Sequence, residues 1–229
     1  MDFATIAQAL SVWFLPVIIA ITFHEAAHGW MAERCGDDTA RVLGRVSFNP
    51  IKHVDLFGTL LLPALLLLLK APFLFGYAKP VPVNFGRLRH PRRDMIWVAL
   101  AGPAANILLA FAAALLLHPA VYVPPTLAPW IGENLANAIL INVVLAVFNM
   151  LPLPPLDGGR VLTGLLPQGA ALRFARLEPF GLLILLGLLF LVPVAAQSLF
   201  GVQFNPMVDL LWPPIVGLYS LILTLTGLA

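Results

Sequence analysis

The stretch FATIAQALSVWFLPVIIAITFHEAAHGW, residues 3–30, joins a long apolar run to an ionisable cluster. About 20 apolar residues in a row are enough for a helix to cross the hydrocarbon core of a membrane. The run leads directly into His24, Glu25 and His28. Ionisable side chains are costly at membrane depth, so they usually mark a functional site. The stretch therefore predicts a transmembrane helix that carries a functional site at one end.

The rest of the chain has the same apolar character. Of its 229 residues, 60% are hydrophobic and 10% are charged, whereas soluble domains carry about a quarter charged residues. This composition predicts an all-α polytopic membrane protein that forms one integral-membrane domain, residues 1–229. A net charge of +2 gives no sign of nucleic-acid binding, and a single cysteine excludes an internal disulfide. The five predicted spans cover residues 3–23, 95–117, 133–151, 180–196 and 207–227.

A sixth apolar run, residues 56–69, has only 14 residues and contains Pro63. The 13 Lys and Arg residues distinguish two topologies, because such residues favour the cytoplasmic side of a membrane. They divide 9 to 4 if the run crosses, and 13 to 0 if it enters and returns. The second topology is favoured. It has five transmembrane helices and a re-entrant segment over roughly residues 56–82, with the N-terminus outside and the C-terminus in the cytoplasm.

His24 and His28 are four residues apart, so on a helix both rings project from one face. Two imidazoles at this spacing can bind one zinc ion, with Glu25 beside them to activate a water molecule. The HExxH pattern is short and also occurs by chance. Its position at the end of an apolar span favours a metal site here.

A zinc site with an open position needs a third protein ligand. Cys35 is a weak candidate, seven residues past His28. Asp157 is a better one, because the re-entrant topology places it on the same side of the membrane as the two histidines. The alternative for Asp157 is a turn residue before Gly158 and Gly159, as Asp-Gly sequences often are.

Three motifs resemble the site-2 protease family of intramembrane zinc metalloproteases, peptidase family M50. They are FHEAAHGW at 23–30, ALAGPAANILLA at 99–110 and FNMLPLPPLDGGRV at 148–161. Together with FGYAKPVPVN at 75–84, they extend from residue 23 to residue 161. The subgroup that the chain looks like is the small bacterial one, without PDZ-like or nucleotide-sensing domains. The resemblance implies a catalytic core over about residues 3–161 and additional C-terminal helices over 178–229.

The resemblance also implies roles for individual residues and one Zn²⁺ ion per chain. It makes Asn106 and Asn149 substrate-binding or oxyanion-binding residues, for which the alternative is hydrogen bonding between helices. The element around residues 75–84 would lie near the substrate and pair with it as an extended strand. The implied zinc ligands are His24, His28 and Asp157, and the implied general base is Glu25.

The implied function is hydrolysis of peptide bonds in or near transmembrane segments of membrane proteins, in regulated intramembrane proteolysis. The implied location is the plasma or inner membrane, with the active site toward the cytoplasm. Two alternatives come from other classes: a metal or proton transporter, and a catalytically silent relative that binds membrane helices. The absence of internal repeats disfavours the transporter, and the intact Glu25 disfavours the silent relative. The sequence assigns no substrate, regulatory partner or oligomeric state.

Overall fold

The computed structural model describes residues 3–68 and 76–229, and the regular secondary structure within them is helical. Five helical segments are long and apolar enough to cross a membrane. This number agrees with the five spans predicted from hydropathy. The segments are Ala7–Arg34, Pro91–Leu117, Ala128–Asn149, Gln168–Phe200 and Met207–Thr226.

The α-helices of the described residues are numbered in chain order. They are α1 (Phe3–Arg34), α2 (Thr39–Val42), α3 (Leu62–Leu68), α4 (Pro91–Leu117), α5 (Ala128–Asn149), α6 (Asp157–Leu165), α7 (Gln168–Ala175), α8 (Gly181–Leu186), α9 (Val192–Phe200) and α10 (Trp212–Thr226). Turns of π-helix precede α3, α9 and α10, at Leu56–Leu61, Gly187–Leu191 and Met207–Leu211. Short 3₁₀ turns lie at Pro50–His53, Phe85–Arg87, Pro119–Tyr122 and Glu178–Phe180.

Several helices extend beyond the predicted apolar spans. Helix α1 continues past residue 23 to Arg34, and α4 and α5 begin at Pro91 and Ala128 instead of residues 95 and 133. Hydropathy detects the apolar part of a helix, whereas the ends contain polar residues and prolines that suit a first helical turn. At these ends the predicted boundaries were therefore too narrow, and the HExxH motif lies inside a continuous helix.

Helices α1, α4 and α5 pack against one another and form the centre of the protein. Small side chains let these helices approach closely, as at membrane-helix interfaces generally; Ala20, Ala110 and Ala114 are completely buried. Helix α10 and the turn before it pack on the same core. The core residues shared by α4, α5 and this C-terminal element are Ala110, Ala113, Ala114, Ile139, Val143, Leu211, Ile215 and Ile222.

The two sides of the predicted re-entrant segment are connected by hydrogen bonds. The backbone N–H of Tyr77 donates to the carbonyl of Gly58 at 3.0 Å, and the N–H of Lys79 donates to that of His53 at 2.9 Å. The hydroxyl of Thr59 donates to the carbonyl of Tyr77 at 2.9 Å. The chain therefore enters and leaves this region at neighbouring positions.

The middle of the predicted re-entrant segment, residues 69–75 with Lys70, lies outside the described residues. On its N-terminal side the chain is helical to Leu68, and on its C-terminal side residues 76–84 contain no helix. The described parts therefore differ from a single plain crossing helix over 56–82.

Asp37 anchors the end of this non-helical stretch to the end of α1. Its carboxylate accepts hydrogen bonds from the backbone N–H groups of Asn84 and Thr39, at 2.6 and 3.1 Å, and from the Thr39 hydroxyl. Burial by itself raises the pKa of Asp37, but these hydrogen bonds and the positive charge of Arg87 outweigh it and hold the pKa below its usual value. Residues 76–84 are thereby fixed beside the helix that carries the HExxH motif.

Candidate metal centre

His24 and His28 lie one turn apart on α1, and both side chains are buried among α1, α4 and α6. Their Nε2 atoms are 3.0 Å apart. The predicted common face of the helix is therefore confirmed, and the two Nε2 atoms lie close enough to bind one ion.

Hydrogen bonds at Nδ1 fix the tautomer of each imidazole. The Nδ1 of His24 is 2.6 Å from Oδ1 of Asn106, and the Nδ1 of His28 is 2.7 Å from the carbonyl oxygen of Val98. Because the Asn106 Nδ2 donates to the carbonyl of Ala20, its amide oxygen must face His24. Both Nδ1 atoms are thus donors. In the neutral rings, both Nε2 atoms carry lone pairs.

Asp157 completes the group from a distant part of the sequence. Its Oδ2 lies 3.2 Å from the Nε2 of His24 and 3.3 Å from that of His28. Asp157 is the first residue of α6, so it belongs to a helix and not to an Asp-Gly turn. Gly158 and Gly159 follow Asp157 in this helix, and the preceding loop packs closely on them. A Cβ at Gly159 would lie 2.7 Å from the carbonyl carbon of Leu153, so the loop leaves no room for a side chain there.

These three atoms fit a zinc ion. The Oδ2 of Asp157 is buried without a hydrogen-bond partner, and neutral histidines place two more lone pairs beside it. A proton on one Nε2 would provide a hydrogen bond to only one of the other two atoms, whereas a cation can bind all three. Nitrogen and oxygen ligands arranged tetrahedrally about zinc lie roughly 3.3 Å apart, close to the observed separations. Among the described residues, His24, His28 and Asp157 form the group of His, Cys, Asp or Glu side chains that could hold a metal.

Helix α4 approaches the two imidazoles through Gly102, which is buried. A Cβ at this position would lie 2.6 Å from Cε1 and 2.7 Å from Nε2 of His24, and closer still to Nε2 of His28. Real Cβ atoms essentially never approach so closely. The absence of a side chain at Gly102 therefore creates the space that the rings occupy, a role that the sequence analysis did not assign.

Glu25 lies beside the cluster and is held by the non-helical stretch 76–84. Its Oε2 accepts a hydrogen bond from the backbone N–H of Val81 at 2.7 Å. Val81 stands between Pro80 and Pro82, which have no backbone N–H to donate. The half-buried carboxylate thus has one oxygen bound to this stretch and is not one of the three clustered ligand atoms.

The predicted asparagines have different surroundings. Asn106 contacts His24 and, through its Nδ2, donates to Ala20 and Asn142. Both N–H groups of its amide are therefore in use, and its role as an oxyanion donor stays a prediction. Asn149 donates to the carbonyl of Leu145 in its own helix at 3.0 Å, and its role at the site also stays a prediction. Cys35 packs with Ala32, Leu88 and Val98 instead of joining the three-residue cluster.

Most of the chain matches one protein family. The family model described as peptidase family M50 matches residues 12–126 and 127–192. The chain belongs to this family. Its relatives include "Putative zinc metalloprotease YwhC" of Bacillus subtilis, 37% identical over 214 residues, which are 91% of this chain and 90% of the relative. "Putative zinc metalloprotease Rip2" of Mycobacterium tuberculosis is 31% identical over 190 residues, 82% of this chain and 69% of the relative.

The M50 assignment makes the protein a zinc metalloprotease, and its five long apolar helices make it a multi-pass membrane protein. This confirms the resemblance drawn from the sequence motifs and disfavours the transporter alternative. No solved structure matches the chain significantly.

Proposed function

We propose that this M50 protease hydrolyses peptide bonds within or next to transmembrane segments of membrane proteins, in regulated intramembrane proteolysis. One observation carries the proposal: His24, His28 and Asp157 form a buried metal-ligating group among helices long and apolar enough to span a membrane. In this proposal those three residues hold one zinc ion, and Glu25 is the general base. A membrane-embedded substrate and the surrounding bilayer are the partners that such a location favours.

The three proposed ligands supply two neutral nitrogen donors and one carboxylate, a set used by catalytic zinc sites that leave one position open. Asn106 and the Val98 carbonyl accept the Nδ1 protons and orient the rings, as partners of metal-ligating histidines commonly do. When bound, zinc acidifies water and polarises a peptide carbonyl.

Glu25 supplies the proton transfers of the proposed mechanism. The Val81 N–H donates to Oε2 and fixes the orientation of the carboxylate. Oε1 is then the oxygen that takes a proton from the attacking water as it adds to the scissile carbonyl. Glu25 later gives this proton to the leaving amine, so that the peptide bond breaks and the base is regenerated.

A transmembrane substrate must unwind before its backbone can be attacked, because its peptide groups are bonded within a helix. Residues 76–84 offer a non-helical stretch of backbone beside Glu25, joined to it through Val81. We propose that an unwound substrate segment pairs with this stretch by strand addition, which would replace the hydrogen bonds lost on unwinding.

The proposed topology keeps residues 56–82 re-entrant, the N-terminus outside and the site toward the cytoplasm of a plasma or inner membrane. Two features support it. The hydrogen bonds from Tyr77 to Gly58 and from Lys79 to His53 join the beginning and the end of the segment. The 13 to 0 distribution of Lys and Arg in the sequence favours a single cytoplasmic side.

Cysteine labelling in intact cells tests this topology. In a Cys35→Ser background, Phe48→Cys and His90→Cys introduce thiols at exposed positions before and after the segment. We expect both to resist a membrane-impermeant maleimide until the cells are opened, whereas Tyr122→Cys reacts from outside. Labelling of one of the first two from outside, with the other protected, would instead show that the segment crosses the membrane.

Cleavage of membrane reporters tests the function. We expect the purified protein in liposomes to cut some members of a panel of single-span proteins, within or next to the span, as located by mass spectrometry of the fragments. A zinc chelator should stop cleavage and added zinc should restore it, while His24→Ala should stay inactive. Zinc-dependent cleavage of water-soluble peptides alone would contradict an intramembrane substrate.

A further inference from the structure

Asn142 is a buried polar residue on α5 that the sequence analysis did not single out. Its side chain is 1% exposed. Its Nδ2 donates to the carbonyl of Ala138, one turn earlier in the same helix, at 2.8 Å. Its amide oxygen, Oδ1, therefore faces α4 and accepts a hydrogen bond from Nδ2 of Asn106 at 2.8 Å.

Through Asn106, this contact reaches His24. Nδ2 of Asn106 is shared between Asn142 Oδ1 and the carbonyl of Ala20, and its Oδ1 accepts the Nδ1 proton of His24 at 2.6 Å. The completely buried Asn106 amide therefore has each of its polar atoms engaged. The hydrogen bonds run from α5 through α4 to α1, and they fix both the tautomer and the orientation of the His24 ring.

The two histidines differ in how they are held. His28 donates to a backbone carbonyl, that of Val98, whose position is set by helix α4 itself. His24 donates to a side-chain amide that can rotate unless its own hydrogen bonds hold it. Without Asn142, the carbonyl of Ala20 would be the remaining acceptor for the Asn106 amide, and one buried N–H would be unpaired.

We infer that Asn142 is a positioning residue for zinc: it holds Asn106 so that His24 presents an unprotonated Nε2 to the metal. This inference rests on the proposed role of His24 as a zinc ligand. It assigns to α5, which contributes none of the three clustered ligands, an influence on metal affinity that acts through Asn106.

Zinc affinity in detergent, measured by competition with a chromogenic chelator, tests the inference without relying on activity. We expect Asn142→Leu to weaken zinc binding about tenfold, at the lower end of the effects seen when groups behind a metal ligand are removed. Asn137→Leu is the matched control, because Asn137 lies on the same helix and also bonds to α1, through the carbonyl of Val12. We expect the control to bind zinc as the parent does.

Two further variants separate positioning from general packing. If Asn142 acts through Asn106, adding Asn142→Leu to Asn106→Ala should weaken zinc binding no further than Asn106→Ala alone. Asn142→Asp should stay within a few-fold of the parent, because a buried, protonated carboxyl can donate to Ala138 and still accept from Asn106. If the leucine variant does not fold, a folded Asn142→Asp protein with an affinity loss well beyond a few-fold would overturn the inference.

The outcomes distinguish this inference from the proposed function. If the parent binds zinc and His24→Ala abolishes it, the proposed ligand role stands whatever Asn142 does. Parent-like affinity in a folded Asn142→Leu protein, or equal losses in Asn142→Leu and Asn137→Leu, would overturn the positioning role alone. A further loss on adding Asn142→Leu to Asn106→Ala would also overturn it. If the parent bound no zinc, the proposed metal centre itself would fail.

Discussion

Replacing Glu25 with glutamine is expected to abolish peptide hydrolysis and to leave zinc bound. Glutamine keeps the size of the side chain and an oxygen that can accept the Val81 N–H, but it cannot take a proton from water. General-base catalysis contributes about 10²- to 10⁴-fold to a reaction rate, so cleavage should fall to background. The measurement combines the rate of reporter cleavage with the zinc content of the same purified sample.

His24→Ala is the control that separates the two roles on one turn of α1, because it should lose both zinc and activity. A Glu25→Gln protein that retains a tenth or more of the parent rate would show that another group is the base. Loss of zinc from a folded Glu25→Gln protein would make Glu25 a ligand, although it is not one of the three atoms that cluster around the site. Either result would require a different assignment of the proton transfer.

Most of what could be predicted from the sequence of this protein is encoded locally. Five apolar runs gave the number of candidate spans, and the four-residue spacing placed the rings of His24 and His28 together on α1. Asp157 lies 129 residues after His28 in the sequence. Its position beside the two histidines could be predicted because the distribution of positive charge favoured one topology. The family resemblance then pointed to Asp157 among the possible ligands.

The parts that could not be predicted depend on how the helices rotate and how closely they pack. An asparagine in an apolar span usually forms a hydrogen bond to a neighbouring helix. The sequence alone does not show which group on that helix is the partner. Asn106 and Asn149 looked equivalent, yet one contacts His24 and the other bonds within α5. Asn142 could have been noticed as a polar residue in the middle of its apolar span, but its link to His24 depends on the rotation of α5.

Gly102→Ala is expected to weaken zinc binding strongly by adding a single methyl group. The new Cβ would lie 2.7 Å from the Nε2 of His24 and closer still to that of His28, so both rings would have to move. Asn106 and the Val98 carbonyl hold the rings from the opposite nitrogen, and moving the rings would break these bonds. We expect zinc affinity to fall on the order of 100-fold or more, comparable to the largest effects of losing groups behind a ligand.

Gly132→Ala is the matched control for this prediction. Gly132 lies within α5, and a Cβ there meets no atom within 4 Å. Alanine favours a helix over glycine by roughly 0.5–1 kcal/mol, so both variants should have folded helices, and only Gly102→Ala should lose zinc. If the Gly102→Ala protein binds zinc as tightly as the parent, then α4 does not restrict the space available to the two imidazoles. If it loses zinc while its thermal unfolding without metal matches that of the parent, then the close approach of α4 at Gly102 specifically shapes the metal centre.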